Sequence, residues 1–347
     1  MFKSKVKRYL KNSVHFLDII LCKLFVNSRF TSSLYYFLFS RKFDREHQSV
    51  LAGRLAYHQK SGRVALDALI RRNTHRLEKG LTMKPMRKLF AIDYIEETVS
   101  AFLNYPVSDD NRSTAMWCFD VLSEYFLQVE RNDHICSLKN EFEECDNFKV
   151  IKGVAKIKRA PFMYGEKFTQ TSFEDFASLA SARHSTRWYM DKEVVMDEVE
   201  KCIEVASCAP SACNRQPFRY VVLNDKAKAS HVAGFAMGTG GYASNITGLI
   251  VVVGDLSAYP FDRDRHVVYI DASLSSMLLM LSFKAKGIDT CPINWPDIEN
   301  REKKMDRYLK LQKYERPIML LAYGYAERDS LIPYSQKKSA EQLVMEG

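Results

Sequence analysis

Two short stretches of the chain carry side chains whose types and spacing suit chemistry. Arg183-His184-Ser185-Thr186-Arg187 sets two arginines, a histidine and two hydroxyls within five residues. Guanidinium forks give bidentate, charge-assisted hydrogen bonds and Ser/Thr hydroxyls satisfy the remaining oxygens, so the cluster suits a phosphate monoester. Cys208-Ala209-Pro210-Ser211-Ala212-Cys213-Asn214-Arg215-Gln216-Pro217 then crowds hydrogen-bonding side chains into one segment, where Ser211, Asn214 and Gln216 suit the polar edge of a planar ring. An Arg/Ser cluster alone is commonly solvated surface. The two clusters together, at this separation, are specific.

Val199, Cys202, Ile203 and Ala206 fall on one face of a helix between the clusters, and Tyr220-Val221-Val222-Leu223 predicts a core strand after the second. The second cluster is therefore a loop held between rigid elements, the usual place for binding groups. Phe173 to Ala182 predicts a short helix ahead of the first cluster. Gly238-Thr239-Gly240-Gly241-Tyr242 follows no strand, so a dinucleotide fingerprint is not expected there and a tight loop is.

This order of elements resembles the FMN-dependent nitroreductase family. In that family an Arg-x-Ser-x-Arg/Lys element, a helix and an Ala-Pro-Ser-x-x-Asn-x-Gln-Pro-Trp/Phe loop lead into the first core strand. Downstream, Gly248–Asp255 resembles the next strand, and Ile270, Leu274, Met277, Leu278, Leu281 and Ala285 keep the period of the long central helix. Gly287–Ile293 resembles the glycine turn and strand beside the flavin, and Ile318–Tyr325 the last core strand. The resemblance covers Arg183 to about Met345. It implies an α+β, nitroreductase-like fold, a mainly antiparallel central sheet flanked by helices, preceded here by an all-helical N-terminal region.

It also implies FMN as cofactor and NAD(P)H as reductant, with hydride passing to flavin N5 and on to an unknown acceptor. Arg183, His184, Ser185 and Arg187 would hold the phosphate and ribityl chain, with Lys337 or Lys338 reaching back to the phosphate. Pro210, Ser211, Ala212, Asn214 and Gln216 would line the isoalloxazine across a homodimer interface, and Pro292 and Ile293 would pack on the ring. No side-chain nucleophile is needed, and Cys213 is read as a small loop residue. Three departures bear on the substrate: Asn294-Trp295 replaces an acidic-glycine pair, Asp271 stands where Gln is frequent, and the 238–242 loop replaces a longer excursion. Tyr242, Asn294 and Trp295 are thus the substrate-side candidates. The alternatives are a flavin-dependent dehydrogenase acting on a sugar- or lipid-linked intermediate of surface polysaccharide synthesis, and a non-enzymatic scaffold at a membrane surface.

Composition frames these readings. The 347 residues, 46% hydrophobic and 12% aromatic, are long enough for about two domains and too apolar for a disordered chain. Of the formal charge of +9, a net +7 lies in residues 1–50, where ten Lys/Arg face three Asp/Glu; the remainder is almost neutral, which excludes a general nucleic-acid binder. Eight cysteines without a C-x-x-C pair suit free thiols in a reducing cytoplasm. His75 and Glu78 lack a third ligand, so no metal site is expected.

In the first segment Val6, Leu10, Val14, Leu17, Leu21 and Leu24 form one helical stripe, with Lys3, Lys7 and Lys11 on another face. Asp18, Lys23 and Arg29 interrupt the apolar run, against both a membrane span and a signal peptide. Two readings stay open: a helical hairpin packed on the rest of the protein, or an interfacial helix on an anionic leaflet at the inner face of the membrane, each basic residue there contributing about 1 kcal/mol. Arg76–Gly80 predicts a helix end on glycine, and Ile95–Leu127 is largely helix-compatible. The basic stretch Lys152, Lys156, Lys158 and Arg159 marks a composition shift. The expected divisions are 1–50, 51–165 and 166–347.

Overall fold

The computed structural model describes residues 2–62, 64–152, 158–163 and 170–347, with side chains from Ser13 onward. The side chains of Lys3, Val6, Lys7, Leu10 and Lys11, together with Lys156 and the expected boundary at 165, lie outside the described residues. Two compact units emerge, Met1–Val50 and Leu51–Gly347.

In the first unit, α1 (Phe2–Phe25) is a single 24-residue helix, followed by α2 (Arg29–Tyr35). The reversal between them is set by a capping box. The Thr31 amide donates to Ser28 Oγ at 3.1 Å and the Ser28 amide to Thr31 Oγ1 at 3.2 Å, satisfying two orphan donors. The Phe25, Tyr35 and Phe39 rings pack together, Phe25 edge-on to Phe39, and the Tyr35 hydroxyl donates to Asp18, giving the carboxylate inside the apolar run a partner. A π-helical turn over Tyr36–Ser40 ends at Arg41 in the left-handed region. Val14, Phe16, Leu17 and Leu24 stay exposed. Helix α3 (Asp44–His58) contains the division at Val50.

The second unit begins with helices: α4 (Ala65–Leu81), α5 (Ile95–Leu103), α6 (Arg112–Gln128), α7 (Asp133–Glu144) and α8 (Asp146–Lys152). Leu69, Leu77, Phe102, Leu122, Phe126 and Phe142 close a core of their own. Gly80 does not end α4. The helix runs to Leu81, and glycine serves close approach, because a Cβ at position 80 would lie 2.1 Å from the Phe90 ring. The Ile95–Leu127 stretch is two helices, interrupted over 104–111.

The sheet half follows as α9 (Phe173–Ala182), α10 (Met196–Ala206), β1 (Phe218–Leu223), α11 (Lys226–Ala233), β2 (Gly248–Asp255), α12 (Val267–Ala285), β3 (Asp289–Asn294), α13 (Glu299–Leu309), β4 (Glu315–Gly324) and α14 (Ala340–Leu343). The strand order is β1-β2-β4-β3, antiparallel throughout. Every residue of β2 is buried, which explains its unbroken apolar run: α11 and α12 both pack on it. Leu249, Val251 and Val253 join Val232 and Ala233 of α11 in a second core, while Phe283 of α12 stacks on Tyr323 of β4 with ring centroids 5.2 Å apart. Gly287 takes φ +71° in the turn from α12 into β3, a conformation open to glycine. The segment Asp262–Ala285 is long and apolar enough to cross a membrane, yet half of its apolar window is buried in the unit, as in a core helix.

The expected division at 165 falls within the second unit, whose helical and sheet halves are tied together. Arg54 of α3 donates to the Pro260 carbonyl at 3.3 Å and pairs with Asp262 at 2.5 Å. Arg71 of α4 makes a further tie, described below.

Candidate functional site

Residues 183–190 run along the open edge of the sheet. Ser185 forms a parallel bridge to Thr290 of β3, with the Thr186 amide donating to the Thr290 carbonyl at 3.0 Å. Tyr189 bridges Ala326 beyond β4, its amide donates to Asn245 Oδ1 at 2.5 Å, and its hydroxyl turns back to the Thr186 carbonyl at 2.6 Å. Arg183 and Arg187 are thereby presented from a pinned, extended stretch.

The C-terminal tail supplies the opposite wall. Arg183, His184, Ser185 and Arg187 share a cleft of about 430 Å³ with Ser335, Gln336 and Lys337; Lys338 is not part of its lining. Among the described residues no carboxylate pairs with Arg183, Arg187 or Lys337. Arg187 donates to the Ser185 carbonyl at 3.4 Å, and its guanidinium lies 5.7 Å from the Tyr242 ring centroid, within cation–π range. Three cations without a countercharge, with two serine hydroxyls beside them, fit a phosphate monoester. Tyr242 is half-buried, and burial raises the pKa of its hydroxyl while the nearby Arg187 opposes the shift.

The second cluster forms a 3₁₀ turn over Ala212–Asn214 between α10 and β1. Cys213, Asn214 and Gln216 have φ of 54°, 51° and 50°, left-handed backbone that costs a non-glycine residue roughly 1–2 kcal/mol each. Two supports hold it. On one side Asp271 of α12 accepts from the Ser211 hydroxyl at 2.6 Å and from the Ala212 amide at 3.0 Å, and Ser211 Oγ in turn accepts from the Gln216 amide at 2.8 Å. Burial raises the Asp271 carboxyl pKa, opposed by those two donors. On the other side Arg71 donates to the Asn214 carbonyl at 2.7 Å and to Gln216 Oε1 at 3.2 Å. Pro210 is exposed, and Ala212 and Asn214 are half-buried.

Strand β3 divides its predicted residues by alternation. Pro292 and Asn294 lie on the exposed face, whereas Ile293 and Trp295 are buried in the core shared with α11. With its side chain in that core, Ile293 would meet a ring through its backbone. Trp295 as a substrate-side residue is corrected: its indole N–H donates to Glu302 Oε1 at 2.9 Å inside the core. The period of two along Cys291, Ile293 and Trp295 was the signal that would have separated these residues from Pro292 and Asn294. Asp271 and Arg71 were missed as site residues. They lie 59 or more residues from the loop atoms they hold, and no local pattern announces them.

His75 Nδ1 lies 3.7 Å from Glu78 Oε2, and among the described residues no group of three His, Cys, Asp or Glu is placed to hold a metal ion.

Comparison with known proteins places the same half of the chain. Residues 180–240 and 245–325 match the sequence profile of the Nitroreductase family. A protein of Archaeoglobus fulgidus, provisionally named NADH dehydrogenase/NAD(P)H nitroreductase, is 29% identical over 163 residues, covering 45% of this chain and 89% of the relative. The provisionally named NAD(P)H nitroreductase YdgI of Bacillus subtilis is 28% identical over 196 residues, with 46% and 92% covered. Among solved structures, a Nitroreductase Family Protein from Streptococcus pneumoniae aligns with a TM-score of 0.43 at 23% identity, covering 50% of this chain and 100% of that one.

Proposed function

Residues 180–325 form a nitroreductase-family domain, and from that premise we propose that the protein is an FMN-dependent NAD(P)H oxidoreductase whose cofactor phosphate is clamped by Arg183, Arg187 and Lys337. The observation that carries this reading is the cleft that joins those three cations, none of them paired with a carboxylate among the described residues. When bound, FMN supplies hydride acceptance from NAD(P)H and electron delivery to an acceptor. The chain's own groups bind and orient. Arg183 and Arg187 fix the phosphate end, Ser185 and Ser335 offer hydroxyls beside it, and Pro292 with Asn294 on the exposed face of β3 is the side open to an acceptor. Purified protein should be yellow, take up added FMN if stripped, and bleach anaerobically with NADH or NADPH. A colourless protein that takes up no FMN overturns the reading.

The assembly we propose is a homodimer. Helix α12 leaves Ile270, Leu274 and Met277 exposed at helical spacing, an apolar stripe with the pattern of a helix–helix contact. Leu274→Glu should turn a dimer measured by light scattering into a monomer; a wild-type monomer refutes the proposal.

For the first unit we propose peripheral contact with an anionic membrane surface. Phe16, Leu17, Leu24, Phe30 and Phe37 are exposed in a segment of 50 residues with net charge +7. The full chain should sediment with phosphatidylglycerol vesicles at low salt and be released at high salt. No retention at low salt defeats this proposal.

A further inference from the structure

Arg71 lies in the helical half, 143 residues from the loop carbonyl to which it donates. Its guanidinium spends its donors on three acceptors: Nε on the Asn214 carbonyl at 2.7 Å, Nη2 on Gln216 Oε1 at 3.2 Å, and Nη1 on Thr114 Oγ1 of α6 at 2.9 Å. The Trp117 ring lies 5.5 Å from it. One neighbouring helix, α6, thus fixes the fork through both contacts before it reaches the loop. The acceptors it reaches are the groups that left-handed backbone at Cys213, Asn214 and Gln216 turns toward α4. The planar guanidinium serves these three acceptors from three nitrogens held at fixed angles, whereas an ammonium would have to reach all of them from a single point.

Asp271 holds the opposite end of the same loop, through Ser211 and Ala212. Without Arg71 that end would stay anchored and the Gln216 amide would keep Ser211 Oγ, while the Asn214 carbonyl and Gln216 Oε1 lost the bonds that help offset the unfavourable φ of residues 213–216. We propose that Arg71 is a positioning residue for the cofactor loop, and that the helical half serves the sheet half as a brace holding residues 213–216 in their binding conformation. This rests on the reading of that loop as part of the FMN site, so its test needs one readout that does not involve FMN.

The experiment compares full-length wild type, Arg71→Ala and Arg71→Lys by hydrogen exchange of the apoprotein and by FMN titration. The expected result in Arg71→Ala is at least tenfold faster exchange of the amides of Asn214, Arg215 and Gln216, with the core amides of β2 unchanged, and an FMN Kd at least tenfold weaker. Arg71→Lys should recover little of either loss. Exchange at 214–216 that matches wild type in a folded Arg71→Ala protein overturns the proposal, as does faster exchange with an unchanged FMN Kd. Should Arg71→Ala fail to fold, Arg71→Lys carries the same test, since it keeps charge and stem and loses only the fork; wild-type behaviour there refutes the brace. If wild type itself binds no FMN, the reading of the loop as a flavin site fails, while the exchange data still decide whether Arg71 fixes its conformation.

Discussion

Replacing Arg187 with alanine isolates the phosphate clamp when two flavins are compared. Arg187 is pre-organised by its bond to the Ser185 carbonyl at 3.4 Å and by the Tyr242 ring at 5.7 Å, so little rotamer freedom is left to lose on binding. One charge-assisted hydrogen bond is worth about 1.5–3 kcal/mol, and about 1.4 kcal/mol is tenfold in affinity, so Arg187→Ala should weaken FMN roughly ten- to hundredfold. Lys337 reaches the cleft from an exposed tail and must order a long side chain, so Lys337→Ala should cost about 1 kcal/mol or less, a few-fold. Lys338→Ala should have no effect, because its side chain is not in the cleft lining. Riboflavin, which shares the ring but lacks the phosphate, is the control: its Kd should be nearly the same in all four proteins. Flavin fluorescence titration reads both ligands. An FMN-to-riboflavin affinity ratio in Arg187→Ala equal to that of wild type would refute the assignment of the cleft.

Three further outcomes are expected. Asp255 is buried, and burial raises its carboxyl to about 6 despite two donors from Ser257. The folded state therefore holds this proton more tightly than the unfolded chain does, and its stabilising effect is complete below about pH 4 and lost as pH rises through 6. The loss by pH 7 is about 3 kcal/mol, and Asp255→Asn should flatten the pH dependence of urea unfolding by that amount. Gly80→Ala, which in an open helix would stabilise by about 1 kcal/mol, should instead lower the Tm, because the new methyl meets a Phe90 ring already packed edge-on against Tyr125 at 5.1 Å. Arg316 sits in the core with Nη2 at 2.6 Å from Asp297 and 3.3 Å from Glu302, so Arg316→Met should destabilise by about 3–5 kcal/mol by removing the cation beside the buried Glu302 carboxylate, which keeps the Trp295 N–H, and adding Glu302→Gln should recover a large part in the same denaturation assay.

What the sequence made legible follows the range of the interactions involved. Strand β2 was readable to its ends because burial on both faces leaves an unbroken apolar run, and α9 because Ser172 caps it locally. The Arg183–Arg187 cluster was readable because its members are adjacent in the chain; its meeting with Lys337 rather than Lys338 depends on the path of an irregular tail, which no periodicity encodes. Asp271 looked like a departure from a pattern. Its meaning lies in two donors 59 and 60 residues away. The unity of the helical and sheet halves was hidden for the same reason: each half closes its own core, and the ties between them, Arg54 and Arg71 among them, join residues far apart in the chain.

The bridge from Ser185 to Thr290 has a bearing on solubility. Strand β3 is the last in the sheet, and an outermost strand offers a row of unused amides on which a second molecule can nucleate a fibre. Here Pro292 contributes no amide, and residues 185–186 lie against Thr290, so that row is broken at two places. The stretch proposed to clamp the phosphate thus also guards the sheet against edge-to-edge strand addition, and a substitution there that frees the backbone from Thr290 would surface as turbidity on standing.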